Sequence, residues 1–65
     1  MDKNRAKRIM ELLRDAGVDQ ESALTLALRV RRPQHETMML EWLEKNPQAE
    51  PMEIVLKSRA IVGRE

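Results

Sequence analysis

A chain of 65 residues with no cysteine, twelve Lys and Arg and eleven Asp and Glu cannot form a disulfide, offers no thiolate and carries a net charge of only +1. This length predicts one domain, residues 1–65, near the lower size limit for a self-sufficient hydrophobic core. The charged start MDKNRAKR and the absence of a long apolar segment predict no signal peptide, no membrane contact and a cytoplasmic location.

The composition predicts an all-α fold. Phe and Tyr are absent, and the strong helix formers Leu, Ala, Met, Glu, Arg and Lys dominate the chain. Gly and Pro occur only at positions typical of element boundaries. We therefore expect a small domain of four short helices.

The first predicted helix runs from about Lys3 to Ala16, with Asp2 as its N-cap. Its apolar residues recur at the i, i+3, i+4, i+7 spacing of one buried face. They are Ala6, Ile9, Met10, Leu13 and Ala16. Gly17 supplies the left-handed residue with which many helices end.

The second predicted helix follows the N-cap Asp19 and runs from Gln20 to about Arg31. Residues 23–30, ALTLALRV, are apolar around most of the helix circumference, which is typical of a helix buried in the middle of a bundle. Pro33 ends this helix, because the residue before a proline is disfavoured in helical geometry.

The third predicted helix begins with Pro33 at its first position and ends at Lys45. We expect its core side to carry Met39, Leu40, Trp42 and Leu43, with Met38 partly buried.

The fourth predicted helix runs from Pro51 to Gly63, and its apolar residues point in several directions. This pattern fits a helix packed on two sides or one that meets a second subunit. The segments 54–56 and 60–62 would also suit strands, but no hairpin signal lies between them.

Few residues suit catalysis or metal binding. With one histidine and no cysteine, the sequence predicts no metal site and no cofactor, and His35 is expected at the surface of the third helix. Ser22 and Ser58 lie in no nucleophile motif, and Gly17 and Gly63 cannot form a phosphate-cradling loop. We therefore expect neither an enzyme nor a small-molecule substrate.

Basic residues cluster at the break between the second and third helices and again near the N-terminus. Such clusters bind nucleic-acid phosphates in a salt-dependent way, although they are also typical of an ordinary solvated surface. DNA is therefore the first predicted partner. The predicted nucleic-acid-binding residues are Arg29, Arg31, Arg32, Gln34, His35, Lys7 and Arg8.

The order of the elements over about residues 6–45 resembles the helix-turn-helix layout of many bacterial regulators. The resemblance implies that the third helix enters the major groove, where Gln34, His35 and Thr37 would contact base edges. Arg31 and Arg32 would then hold phosphates. The sequence departs from this layout in two ways: the break holds Arg-Arg-Pro in place of the usual glycine, and the third helix carries glutamates. These are Glu36, Glu41 and Glu44.

A second interpretation is a protein-interaction module that binds a protein partner or forms a homodimer. Methionines and the single Trp would form an adaptable apolar surface where the third and fourth helices meet. The predicted residues are Met38, Met39, Trp42 and Ile61. An ordinary core is the competing explanation, because Trp42 is the natural central filler of a bundle without Phe or Tyr.

Overall fold

The computed structural model describes residues 3–63, which form four α-helices. They are α1 (Lys3–Asp15), α2 (Gln20–Arg29), α3 (Pro33–Lys45) and α4 (Pro51–Val62). No residue from 3 to 63 is in a β-strand, so the prediction of a small all-α four-helix fold is confirmed. The proposed N-cap Asp2 lies outside the described residues.

Local chemistry sets most helix boundaries where the sequence predicts them. Gly17 adopts a φ of +90°, which continues the chain beyond α1 in a conformation that L side chains rarely adopt. The side chain of Asp19 accepts a hydrogen bond of 3.1 Å from the backbone amide of Ser22 and so caps α2. Pro33 and Pro51 occupy the first turns of α3 and α4.

The four helices pack in a closed ring in which α1 contacts α2 and α3, and α4 contacts the same two helices. The buried apolar side chains at the centre are Ile9, Leu13, Val18, Ala23, Leu26, Val30, Met39, Leu43, Ala49, Ile54 and Ile61. Because α2 and α3 pack mainly on α1 and α4 and not on each other, this arrangement does not confirm the helix-turn-helix resemblance.

The prediction that α2 is buried nearly all round is wrong. Leu24 and Leu28 are 55% and 57% exposed, whereas Ala23, Leu26 and Val30 are buried. A ring of four helices has no central member, so α2 can bury only the side that faces α1 and α4.

The first turn of α3 also differs from the prediction. His35 and Glu36 are only 4% and 2% exposed, so the expectation that His35 lies at the surface is wrong. The N-terminal half of α1 lies against this turn, as a 2.6 Å hydrogen bond from Arg5 Nη1 to Thr37 Oγ1 demonstrates. Trp42 is only partly buried and packs at the edge of the core, not at its centre.

The buried side of α4 is narrow. Ile54, Ser58 and Ile61 are buried, whereas Met52 and Leu56 are 74% and 59% exposed. The dispersed apolar pattern of this helix therefore reflects one face packed inside the chain and a second apolar face that residues 3–63 leave open.

Candidate nucleic-acid interface

Three connections bring the basic parts of the chain to one end of the bundle. The short segment 30–32 joins the end of α2 to the start of α3. Arg5 of α1 reaches Thr37 in the first half of α3. Arg29 Nη1 of α2 donates a 3.0 Å hydrogen bond to Ser58 Oγ in the second half of α4. The start of α1, the end of α2, the start of α3 and the end of α4 therefore lie together.

We call this end of the bundle the basic end. Its basic residues are Arg5, Lys7, Arg8, Arg29, Arg31, Arg32, Lys57 and Arg59. The opposite helix halves form the acidic end, whose acidic residues are Glu11, Asp15, Asp19, Glu21, Glu41, Glu44, Glu50 and Glu53. A groove lined by Asp19, Pro51 and Met52 demonstrates that the starts of α2 and α4 adjoin at the acidic end. The small net charge thus conceals a separation of charge along the bundle.

Helix electrostatics explain only part of this separation. Acidic residues at the start of a helix and basic residues at its end stabilise the helix dipole, and α2 and α4 follow this rule. In contrast, the first turn of α1 has no acidic residue, and Arg5, Lys7 and Arg8 occupy its N-terminal half. These charges oppose the dipole of α1, and two of them are compensated by ion pairs, Arg5 with Glu36 and Arg8 with Glu11 and Glu44.

Glu36 is the only carboxylate between residues 3 and 63 that lies at the basic end, and it is buried. Its Oε1 lies 3.4 Å from Nε of Arg5. Exposed carboxylates still border the basic end, because Glu11 and Glu44 lie 3.9 Å from Arg8 and Glu41 lines a groove with Lys57. The sequence alone suggests that Glu36 is surface charge, although its spacing to Met39 and Leu43, i+3 and i+7, is that of the buried face.

The structure separates the predicted nucleic-acid-binding residues into two groups. Arg31, Arg32 and Gln34 are exposed and lie together at the connection between α2 and α3. Lys7 and Arg8 are also exposed, but on α1. Lys7 lines a shallow groove of about 430 Å³ between α1 and α2. Arg8 faces α3, with its Nε 3.9 Å from Glu44 Oε2.

The remaining predicted contacts are less accessible to DNA. Arg29 is half-buried and bonded to Ser58, and His35 is buried, so neither presents a free edge to a base. Thr37, which the helix-turn-helix layout would turn toward bases, is half-buried and accepts the hydrogen bond from Arg5. Of the proposed base-reading residues, Gln34 alone is exposed.

The residues predicted for protein interaction are also divided. Met39 and Ile61 are buried in the core, so the expectation that they belong to an interaction surface is wrong. Both lie on the inner face of their helices, which the ring arrangement closes. Met38 is exposed and Trp42 half-buried, and they line a shallow groove with Lys57 of α4.

Metal-binding clusters and membrane spans are both absent from the part of the chain that the structure describes. Among these residues, no group of three or more His, Asp and Glu side chains is arranged to hold a metal ion. None of the helices between residues 3 and 63 has the length and apolar character of a membrane span. Comparisons of the chain with protein-family models, with curated proteins and with solved structures give no match.

Proposed function

We propose that this chain is a small non-enzymatic binding protein whose basic end contacts the phosphate backbone of duplex DNA. The observation that carries the proposal is the exposure of Arg31 and Arg32. The nearby carboxylate of Glu36 is buried and lies 3.4 Å from Arg5, so it does not add negative charge to that surface. Exposed arginines on a surface of mainly positive charge attract phosphates through Coulomb forces and counterion release.

The start of α3 adds to this attraction. Arg32 is the N-cap of α3, and its guanidinium, which has no acceptor, forms no capping hydrogen bond with the first turn. The dipole at a helix N-terminus favours an anion, and here exposed arginines lie beside that terminus. A phosphate close to Arg31 and Arg32 would therefore meet both kinds of positive charge.

The expected binding mode is contact with phosphates and little reading of bases. Base recognition requires several side chains that reach the floor of a groove, and Gln34 is the one exposed candidate. Phosphate contacts carry no direct sequence information. We therefore expect similar affinities for duplexes of different sequence and a steep decrease in affinity with salt.

The test is fluorescence anisotropy of a labelled random-sequence duplex, titrated with the protein at several salt concentrations. The Arg31→Ala/Arg32→Ala variant is titrated in parallel. If each arginine contacts one phosphate, the slope of log affinity against log salt should decrease in magnitude by about two units. Circular dichroism should show that the variant keeps its helical content, because both side chains are exposed.

The matched control is Arg14→Ala/Lys45→Ala, which removes the same charge from exposed positions at the acidic end. This control should retain the salt slope of the unmodified protein. Absence of binding even at low salt would contradict the proposal. An equal loss in both double variants would also contradict it, because binding would then follow net charge and not the basic end.

A different observation favours the alternative function, association with a protein. Met52 and Leu56 of α4 are large apolar side chains, and both are largely exposed. Exposed apolar patches on a small protein mark interaction surfaces.

A further inference from the structure

The outer side of α4 carries a row of apolar side chains that no other described helix covers. Met52, Leu56 and Ala60 follow one another at the i, i+4, i+8 spacing, and all three are exposed. We call the surface formed by these three residues the α4 outer face. The opposite face of α4 buries Ile54 and Ile61 against the rest of the chain.

Charge on α4 changes sign from the start of the helix to its end. Glu50 and Glu53 lie at the start of the helix, and Lys57 and Arg59 lie in its second half. The same change of sign runs along the whole bundle, from the acidic end to the basic end. A partner that covers the α4 outer face must therefore be basic beside the start of α4 and acidic beside its end.

A second copy of this chain meets that requirement when its α4 runs in the opposite direction. A twofold axis near Leu56 would place Leu56 against its equivalent and the start of one α4 beside the end of the other. Glu50 and Glu53 of each copy would then face the positive half of α4 in its partner. In a parallel arrangement, like charges would face each other along the full length of the helix.

We propose that the α4 outer face is the contact surface of an antiparallel homodimer. Leu56 lies at its centre and Met52 and Ala60 at its two edges. Covering Met52 and Leu56 removes exposed apolar area from water, which favours association of a domain as small as this one. This inference does not depend on the proposed DNA binding, because it concerns the chain alone.

The experiment is sedimentation equilibrium of the full chain over a range of concentrations, without DNA. The unmodified protein should approach twice the 7.6 kDa mass of one chain as its concentration rises. Leu56→Glu should remain at the mass of one chain at the same concentrations. Leu28→Glu is the matched control, because Leu28 is exposed to a similar extent but lies on α2; this variant should dimerise normally.

Disulfide cross-linking tests the antiparallel orientation, since the chain contains no cysteine of its own. Chains with Met52→Cys, mixed with chains that carry Ala60→Cys, should oxidise mainly to the mixed dimer. Met52→Cys alone should cross-link poorly. Efficient cross-linking of Met52→Cys with itself would overturn the orientation. A chain that stays at 7.6 kDa at every concentration, or a control that dissociates like Leu56→Glu, would overturn the proposal.

Discussion

Nε of Arg5 lies 3.4 Å from Oε1 of Glu36, so that a buried carboxylate joins α3 to α1 through a cation that is itself partly exposed. Removal of the arginine leaves the carboxylate buried with its nearest positive charge gone, which is costly. We expect Arg5→Met to lower the free energy of unfolding by about 2 kcal/mol, less than the roughly 3–5 kcal/mol typical of a fully buried pair, because Arg5 is 36% exposed. Urea denaturation followed by circular dichroism measures the change.

The control for this ion pair is Arg8→Met. Arg8 lies 3.9 Å from both Glu11 and Glu44, but all three side chains are substantially exposed. Exposed pairs of this kind contribute less than about 1 kcal/mol. A second change, Glu36→Gln, made in the Arg5→Met background, should recover stability because a buried amide costs less than a buried charge. Equal losses for Arg5→Met and Arg8→Met would contradict this account.

The fold could be predicted from the sequence because its signals are local. Gly17, Asp19, Pro33 and Pro51 each act on the backbone within a few residues, so the helix boundaries follow from short segments. The exposure of Leu24 could not be predicted in the same way. Whether an apolar position faces a neighbour depends on how helices far apart in sequence are arranged, and composition does not specify a ring.

In the candidate site, too, only the features formed by residues adjacent in sequence could be predicted. The basic cluster at Arg31 and Arg32 is visible in the sequence because its members are adjacent. The pairing of Arg5 with Glu36 joins residues that are far apart in the chain. It goes with the burial of a carboxylate that the sequence alone would place on the surface. The exposed surface of α3 therefore carries less negative charge than the sequence predicts, and Arg29 and His35 are less accessible than it predicts.

A second prediction compares Arg29, which forms a hydrogen bond within the fold, with the exposed Arg31. Ser58 is fully buried, and its hydroxyl donates a 2.7 Å hydrogen bond to the Val55 carbonyl while accepting one of 3.0 Å from Arg29. We expect Arg29→Met to lower the free energy of unfolding by about 1 kcal/mol. Arg31→Met should change it by less than about 0.5 kcal/mol. Thermal and urea denaturation of both variants provide the comparison.

A double-mutant cycle completes this test. If Arg29 and Ser58 stabilise the fold through their mutual hydrogen bond, the effects of Arg29→Met and Ser58→Ala should not add in the double variant. Additive losses would mean that Arg29 acts through some other contact.

A third prediction concerns pH. Hydrogen bonds from the Ser22 hydroxyl and then from its backbone amide hold the pKa of Asp19 below its usual value. Because this pKa is lower in the folded chain than in the unfolded chain, the ionised cap stabilises the fold at pH values above the pKa of Asp19 in the unfolded chain. This contribution is lost as the pH falls through the pKa of Asp19 in the folded chain. The stability difference between the protein and Asp19→Asn should therefore shrink in acid, as urea denaturation at several pH values can measure.

The variant Ser22→Ala provides the comparison for this pH effect. It removes the hydroxyl donor but keeps the backbone amide that bonds Asp19 at 3.1 Å. Its pH dependence should lie between that of the unmodified protein and that of Asp19→Asn. A stability difference that stays constant from neutral pH to strong acid would show that the charge of Asp19 has no part in capping α2.

A fourth prediction concerns the turn between α1 and α2. Gly17 has a φ of +90°, and a Cβ built on it meets no atom within 4 Å, so any cost of a side chain there comes from the backbone alone. We expect Gly17→Ala to lower the free energy of unfolding by about 1 kcal/mol. Gly17→Asn should cost less, because asparagine enters the left-handed region more readily than alanine. Equal stability of the glycine and alanine proteins in urea would mean that the turn relaxes to a negative φ without loss of packing between α1 and α2.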